Sequence, residues 1–423
     1  MNRTKGRLIA LNFMEFSVWG AYLISMGGYL AKIGLAEHIG WFYSVQGVVS
    51  LFMPALMGIV ADRFVPAQKM LSMCHLMVAC CMTIAGCVGM TQGDGVTFAQ
   101  LFVPYALGVA FFMPTLALSN SVSYSVLARA GEDPVKVFPS IRVFGTIGFI
   151  ISMWLVDLLG FQHDHRQFFV SAVWSGVLGC YAFTLPSCEV DRSKRKRSFA
   201  EAFGLRAFTL FKERRMAIFF LFSMLLGVSL QITNGYANTF ISAFAQVPAY
   251  ADTFVVRHAN MLISLSQISE TLCILLIPFC LQRWGIKRVI LIAMMAWTLR
   301  FGLFAVGNPG SGVWLFVLSM LVYGIAFDFF NISGSLFVNQ STDAHMRSSA
   351  QGLFMMMANG FGATIGTLSA QAVVNALVYS QPDVASRMEG WQTVWGIFAC
   401  YAFVVGILFA LFFREGKSQV KGA

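Results

Sequence analysis

Charge is scarce in this sequence. Only 11% of its 423 residues are Asp, Glu, Lys or Arg, where a soluble globular protein carries about 25%. With 57% hydrophobic residues and a mean hydropathy of +0.71, a water-soluble fold is excluded and an all-α polytopic membrane protein follows. Metal and disulfide patterns are missing too. The nine cysteines and six histidines form no Cys-x-x-Cys pair with zinc spacing and no paired external framework. Most cysteines lie inside apolar runs, where a thiol is a small apolar filler. His75 is the one histidine well inside such a run, and it reads as a core histidine. No Ser/His/Asp set, metal cluster or phosphate loop points to an enzyme, so neither a metal nor an organic cofactor is expected. The N-terminal segment has the basic flank of a signal peptide. Its apolar run continues to about residue 31 without a small-x-small cleavage site, so it reads as a retained first span.

Runs of apolar residues define twelve spans, at 8–31, 40–61, 70–91, 98–126, 139–160, 167–187, 216–245, 258–281, 288–307, 313–338, 348–379 and 391–413. If both termini are cytoplasmic, cytoplasmic segments hold 23 of the 29 Lys and Arg residues, and external loops hold only Lys32, Arg166, Arg257 and Arg387. That asymmetry is the positive-inside pattern. It accounts for the net charge of +10 and the pI near 9.3 without any nucleic-acid partner. A basic segment, 188–215, separates an N-terminal six-helix bundle (1–187) from a C-terminal one (216–423). Within it, Ser198 and Glu201 fit a capping box that opens a short helix.

The two halves share landmarks. "GVAFFMPTLALS" (108–119) in the fourth span aligns with "GIAFDFFNISGS" (324–335) in the tenth, and "GIVADRFVPAQK" (58–69) after the second with "PFCLQRWGIKR" (278–288) after the eighth. Two related six-span halves predict a 6+6 fold with a site at the midplane between them.

Arg142, Glu270, Arg300 and Asp328 each fall inside a run of about 20 apolar residues, where a charge costs on the order of 3 kcal/mol. Such groups face a partner or a water-filled cavity, and several of them on different helices point to a transport pathway. Their neighbours fall on helix stripes. Arg142, Thr146 and Phe149 are spaced i, i+4, i+7; Gln231 and Asn234, and Gln267 and Glu270, are i, i+3; Tyr323 and Phe327 are i, i+4, with Asp328 next along. Amides, carboxylates, a guanidinium and aromatic faces suit a flat, uncharged, hydroxyl-rich solute such as a nucleoside. Gln231, Asn234 and Gln267 taken singly are equally explained as interhelical hydrogen bonds. Arg300 reads as structural or snorkelling, and Asp157, near an external helix end, as solvated. Glu15 is either a satisfied buried group or a titrating one.

The turn after the second span resembles the loop signature of the major facilitator superfamily. Gly58, Asp62 and Arg63 match it, Val65 replaces a glycine, and Lys69 arrives late. The resemblance implies a conformational gate at Asp62 and Arg63. Across nearly the whole chain the sequence resembles the nucleoside:proton symporter family of that superfamily, most specifically at "FMPALMGIVAD", "IRVFGTIGFI", "LQITN", "SQISETL", "AFDFFNISGS" and "WQTVW". This resemblance implies proton-coupled uptake of nucleosides such as uridine or adenosine across a bacterial inner membrane, with the proton as coupling ion, by a chain that works as a monomer. It also implies that Arg142, Thr146, Phe149, Gln231, Asn234, Gln267, Glu270, Tyr323 and Phe327 line the nucleoside site and that Asp328 is essential to transport. Glu15 stands where the family usually has Gln, which raises the prospect of an additional titrating group. Either Asp328 or Glu270 is expected to carry the proton, with Arg142 as a counter-ion released on protonation. A transporter of a sugar or other small neutral metabolite is the alternative reading, and a non-transporting receptor on the same fold is a third.

Overall fold

In the computed structural model of the protein, residues 3–54, 56–57, 60, 65–188, 205–343 and 346–414 are described, and no strand occurs among them. Helix α1 (Arg3–Gly20) gives way to turns over residues 21–25 and resumes as α2 (Met26–Lys32). The first apolar run is therefore a broken span, where the sequence pattern suggested one helix. Next come α3 (Ile39–Ser50), α4 (Ala67–Gln92), α5 (Phe98–Arg129), α6 (Pro134–Leu158) and α7 (Arg166–Ala182). The second half opens with α8 (Arg214–Ala243), α9 (Ala259–Val306) and α10 (Val313–Ser341). Helix α11 (Arg347–Met355) continues through a π-helical stretch (Met356–Gly362) into α12 (Ala363–Val374). A second π-helical turn (Asn375–Tyr379) precedes α13 (Val384–Phe412).

Among the described residues eight helices are long and apolar enough to cross a membrane. One of them, α9, is two spans. Its 48 residues break at Gly285, where φ is 75°, a backbone region that glycine enters without a steric penalty. The broken first span, the run opened by α3, and α7 bring the total to the expected twelve. Asp62 and Arg63, with Gly58, lie outside the described residues, as does the Ser198–Glu201 capping box.

Small residues set how closely the site-bearing helices approach. On α1 and α6, a Cβ added at Gly20 would strike the Phe149 backbone, and one at Gly148 the Phe13 carbonyl. Ser17 Oγ lies 2.8 Å from the Phe13 carbonyl and 3.1 Å from that of Gly148, so one hydroxyl bridges the two helices. Small residues let membrane helices come into backbone contact, where packing and interhelical hydrogen bonds replace the hydrophobic drive. This crossing fixes the register of Arg142, Thr146 and Phe149. In the second half Gly227 of α8 sits directly on Ala358 of the π-helical stretch, which holds the turns carrying Gln231 and Asn234.

The two halves meet at the membrane face opposite the chain termini. Gln371 of α12 accepts from the Gly40 amide at 2.5 Å and from Tyr236 at 2.9 Å, while its amide donates to the Ala36 carbonyl at 3.1 Å. Asn260 donates to Ser25 (2.7 Å), Gln162 to the Arg257 carbonyl (2.5 Å) and Trp154 to Ser264 (2.9 Å). These bonds all lie toward one end of the bundle and close it.

Candidate functional site

Below that closed end lies a cavity of about 910 Å³, bounded by both halves. Its lining runs from Trp19, Leu23 and Gln46 near the closed end to Ser50, Pro54, Asn120, Ser349 and Gly352 toward the face that carries the termini. Phe208, from the segment linking the halves, also lines it.

All nine residues singled out by helix stripes as substrate-facing line this cavity: Arg142, Thr146, Phe149, Gln231, Asn234, Gln267, Glu270, Tyr323 and Phe327. They come from four helices, α6, α8, α9 and α10. Tyr323 and Phe327 lie nearly parallel, with 5° between their planes and centroids 5.6 Å apart. The Arg142 guanidinium carbon sits 3.7 Å over the Phe16 ring, so that charge is held against an aromatic face. Asn234 Nδ2 lies 3.4 Å from Gln231 Oε1. Gln267 Oε1 is buried without a partner, and Trp19 Nε1 is likewise a donor without an acceptor. Buried polar atoms in native proteins are normally paired, so these two are open to a bound solute.

Asp328 is placed differently. Its side chain does not line the cavity. It is 5% exposed on α10, and its Oδ2 has no hydrogen-bond partner. Glu270 is the charged group that acts on it most strongly, and Glu270 also faces Arg142. One carboxylate in the cavity wall thus links the guanidinium of the first half to a buried acid behind the second.

The structure overturns one reading and narrows two. Asp157 is buried, not solvated: it pairs with His258 Nδ1 at 2.5 Å and accepts from the Met261 amide at 3.3 Å. Its partners arrive from the loop after α8 and the start of α9, which its own helix end does not reveal. Arg300 does not snorkel. It is completely buried, donates to the Ser319 carbonyl at 2.7 Å, and its guanidinium carbon lies 4.7 Å from the Tyr323 ring centroid, bracing the aromatic pair from behind. Glu15 is also completely buried and meets His75 at 2.9 Å and Thr115 at 2.6 Å.

Phe16, Trp19 and Leu23 escaped the sequence reading although they form an i, i+3, i+7 stripe on the first span. In a span that is apolar on every side, aromatics carry no mark of which face meets the cavity. Among the described residues no cluster of three or more His, Cys, Asp or Glu could hold a metal.

The family model described as "Nucleoside H+ symporter" matches residues 1–418. The chain is 46% identical to the xanthosine permease of Escherichia coli (strain K12) over 418 residues, covering 98% of this chain and 97% of that protein. It is 45% identical to the nucleoside permease NupG of the same organism over 420 residues, again covering 98% and 97%. The crystal structure of the nucleoside transporter NupG superposes with a TM-score of 0.89 at 44% identity, covering 98% of this chain and all of that one. The fold is therefore the twelve-helix, 6+6 major facilitator fold, and the protein is a transporter rather than an enzyme. With the family model spanning nearly its whole length, the chain belongs to the nucleoside H+ symporter family.

Proposed function

We propose that this protein takes up nucleosides by proton symport across a bacterial inner membrane, with both termini in the cytoplasm. The observation that carries this reading is the cavity wall itself: a parallel aromatic pair beside amides, with a guanidinium and a carboxylate from opposite halves. Stacking of a base on an aromatic ring is worth about 1–3 kcal/mol. Amides and a carboxylate match ribose hydroxyls, and such a site strongly rejects analogues lacking them. Arg142, Thr146 and Phe149 hold the solute from the first half, and Gln231, Asn234, Gln267, Glu270, Tyr323 and Phe327 from the second. Uridine, adenosine and xanthosine are the substrates to try first.

With the termini inside, the closed face is external and the cavity opens inward. Rocking of the bundles 1–187 and 216–423 about the site carries solute across, and one chain suffices for this cycle. No cofactor enters it; the proton supplies the drive. A proton moving down about 100 mV releases roughly 2.3 kcal/mol, and a pH unit adds about 1.4 kcal/mol. At about 1.4 kcal/mol per factor of ten, that supports a few hundredfold accumulation of a neutral solute.

Uptake of radiolabelled nucleosides into proteoliposomes, with and without an inward proton gradient, tests the reading. Gradient-stimulated uptake is expected, without competition from a hexose. Folded protein that transports none of the three nucleosides would sink it.

The external seam should respond to pH. His163, in the loop between α6 and α7, packs against Gly28, as does Asn238, and burial, then the charge of Lys32, pushes its imidazole from the ordinary 6.5 down to about 4. A ring whose proton is bound less tightly in the closed state favours closure fully above about 6.5 and loses that contribution as pH falls toward about 4. External acid therefore favours the outward-open state. Thiol labelling of a cysteine placed at Ser25 is expected to speed up as external pH falls through this window. His163→Gln should flatten that response.

A further inference from the structure

The symport cycle proposed above leaves one buried pair of titratable groups unused. Glu15 on α1 and His75 on α4 are both completely buried, outside the cavity lining, and their hydrogen bonds decide which proton counts fit. The Ser175 hydroxyl is positioned to donate its single hydrogen to the His75 carbonyl at 2.9 Å. With that hydrogen on the carbonyl, the Ser175 oxygen, 3.0 Å from His75 Nδ1, accepts from an Nδ1 that carries a hydrogen; turned to Nδ1 instead, the same hydroxyl serves a ring protonated at Nε2 alone. His75 Nε2 then meets Glu15 Oε2 at 2.9 Å. With no proton between them two lone pairs would oppose each other, so one proton lies on that line, on the ring or on the carboxyl, and with Nδ1–H in place the pair is neutral overall.

A second proton also fits. The Thr115 hydroxyl has one hydrogen and two acceptors at 2.6 Å, Glu15 Oε1 and the Phe112 carbonyl. When that hydrogen turns to Phe112, the Thr115 oxygen is free to accept from a hydrogen on Oε1. His75 Nε2–H then donates to Oε2 and every polar atom of the cluster stays paired, now with one positive charge. A hydrogen-bond set satisfied at two proton counts, in a place where an unpaired polar atom is heavily penalised, is what a proton-storing site requires.

The groups facing this cluster define its output. From α6 the Arg142 guanidinium lies within electrostatic reach of Glu15 and, more strongly, of Glu270. From α4 the Cys74 thiol faces Glu15, and α5 and α7 supply only the hydroxyls of Thr115 and Ser175. A positive charge gained at Glu15–His75 repels Arg142 and drives it toward Glu270 and the solute. Losing that charge lets it relax back.

We infer that Glu15 and His75 form a second proton-binding site, lodged in the N-terminal half, and that they act as positioning residues on the nucleoside site through Arg142. The use of the proton rests on the symport reading; its existence does not. The test is therefore made first without nucleoside, by infrared difference spectroscopy of the reconstituted full chain across a pH titration. Glu15→Gln is expected to remove one pH-dependent carboxylic-acid signal. His75→Gln, which leaves Glu15 in place, is expected to retain that signal but change the pH at which it appears. Nucleoside affinity linked to one proton changes by up to about tenfold per pH unit, and Glu15→Gln should reduce the wild-type slope. Identical infrared titrations in wild type and both variants would overturn the inference. If wild type moved no nucleoside, the symport reading would fall, yet a signal lost in Glu15→Gln would still establish the proton site.

Discussion

Asp328→Asn is expected to abolish proton-driven accumulation while leaving nucleoside exchange intact. The few hundredfold concentration ratio that about 100 mV and a pH unit can sustain should fall to about one. Counterflow of labelled against unlabelled nucleoside should continue at a rate comparable to wild type. The argument starts from burial. Asp328 is 5% exposed and its Oδ2 is unpartnered. An ionised carboxylate there carries a desolvation penalty of several kcal/mol with no hydrogen bond to offset it, so the site is complete only when a proton is bound. Asparagine keeps the shape and mimics the protonated form, and a carrier fixed in that form still alternates but no longer couples. Glu270→Gln should behave otherwise, because Glu270 is in the cavity wall opposite Arg142. That change should weaken nucleoside binding by about tenfold or more, the loss of one charge-assisted hydrogen bond to the solute. Parallel accumulation and counterflow assays separate the two acids. Full accumulation by Asp328→Asn would remove that residue from the coupling step.

The cavity wall was legible in the sequence because its polar residues are anomalies. An amide or acid in an apolar span stands out, and its i, i+3 or i, i+4 companions name the face it shares. Glu270 with Gln267, and Tyr323 with Phe327, needed nothing more. The aromatics of the first span were not legible in the same way, since Phe16 and Trp19 sit among apolar residues on every side. Partners were also hidden. Asp157 looked solvated because its helix ends one residue later, at residue 158, yet His258, roughly a hundred positions further on, covers it. Glu15 and His75 were each visible as oddities in separate spans, but only the packing of α1, α4, α5 and α7 shows them to be one cluster. The break after Gly20 leaves no mark because residues 21–25 are ordinary span residues. The one at Gly285 does, because a glycine falls between two apolar runs.

Helix crossings make the second large prediction. Gly227→Val should yield little folded protein, and Gly227→Ala should fold with lower stability and bind nucleoside about tenfold more weakly, a loss of about 1.4 kcal/mol. A Cβ at Gly227 would fall on the backbone of Ala358, well inside van der Waals contact of its carbonyl oxygen. Backbone cannot rotate away as a side chain can, so α8 or the π-helical stretch must shift. Gly362 tightens the same seam, because a Cβ there would meet the Met224 carbonyl and lie 3.1 Å from Gly227 Cα. Overpacking a close contact costs about 1–3 kcal/mol, more than the roughly 1 kcal/mol that alanine gains over glycine in helix propensity. Gln231 and Asn234 lie about one and two turns further along α8, so any displacement of that helix moves both amides away from the solute. Gly396→Ala is the matched control: a Cβ there meets nothing within 4 Å, and α13 contributes no residue to the cavity wall. Thermal unfolding in detergent and equilibrium nucleoside binding should therefore be unchanged or slightly improved for Gly396→Ala, and both should be impaired for Gly227→Ala. Equal behaviour of the two variants would mean that the seam between α8 and the π-helical stretch has slack, and that the amides of α8 are positioned by something other than this crossing.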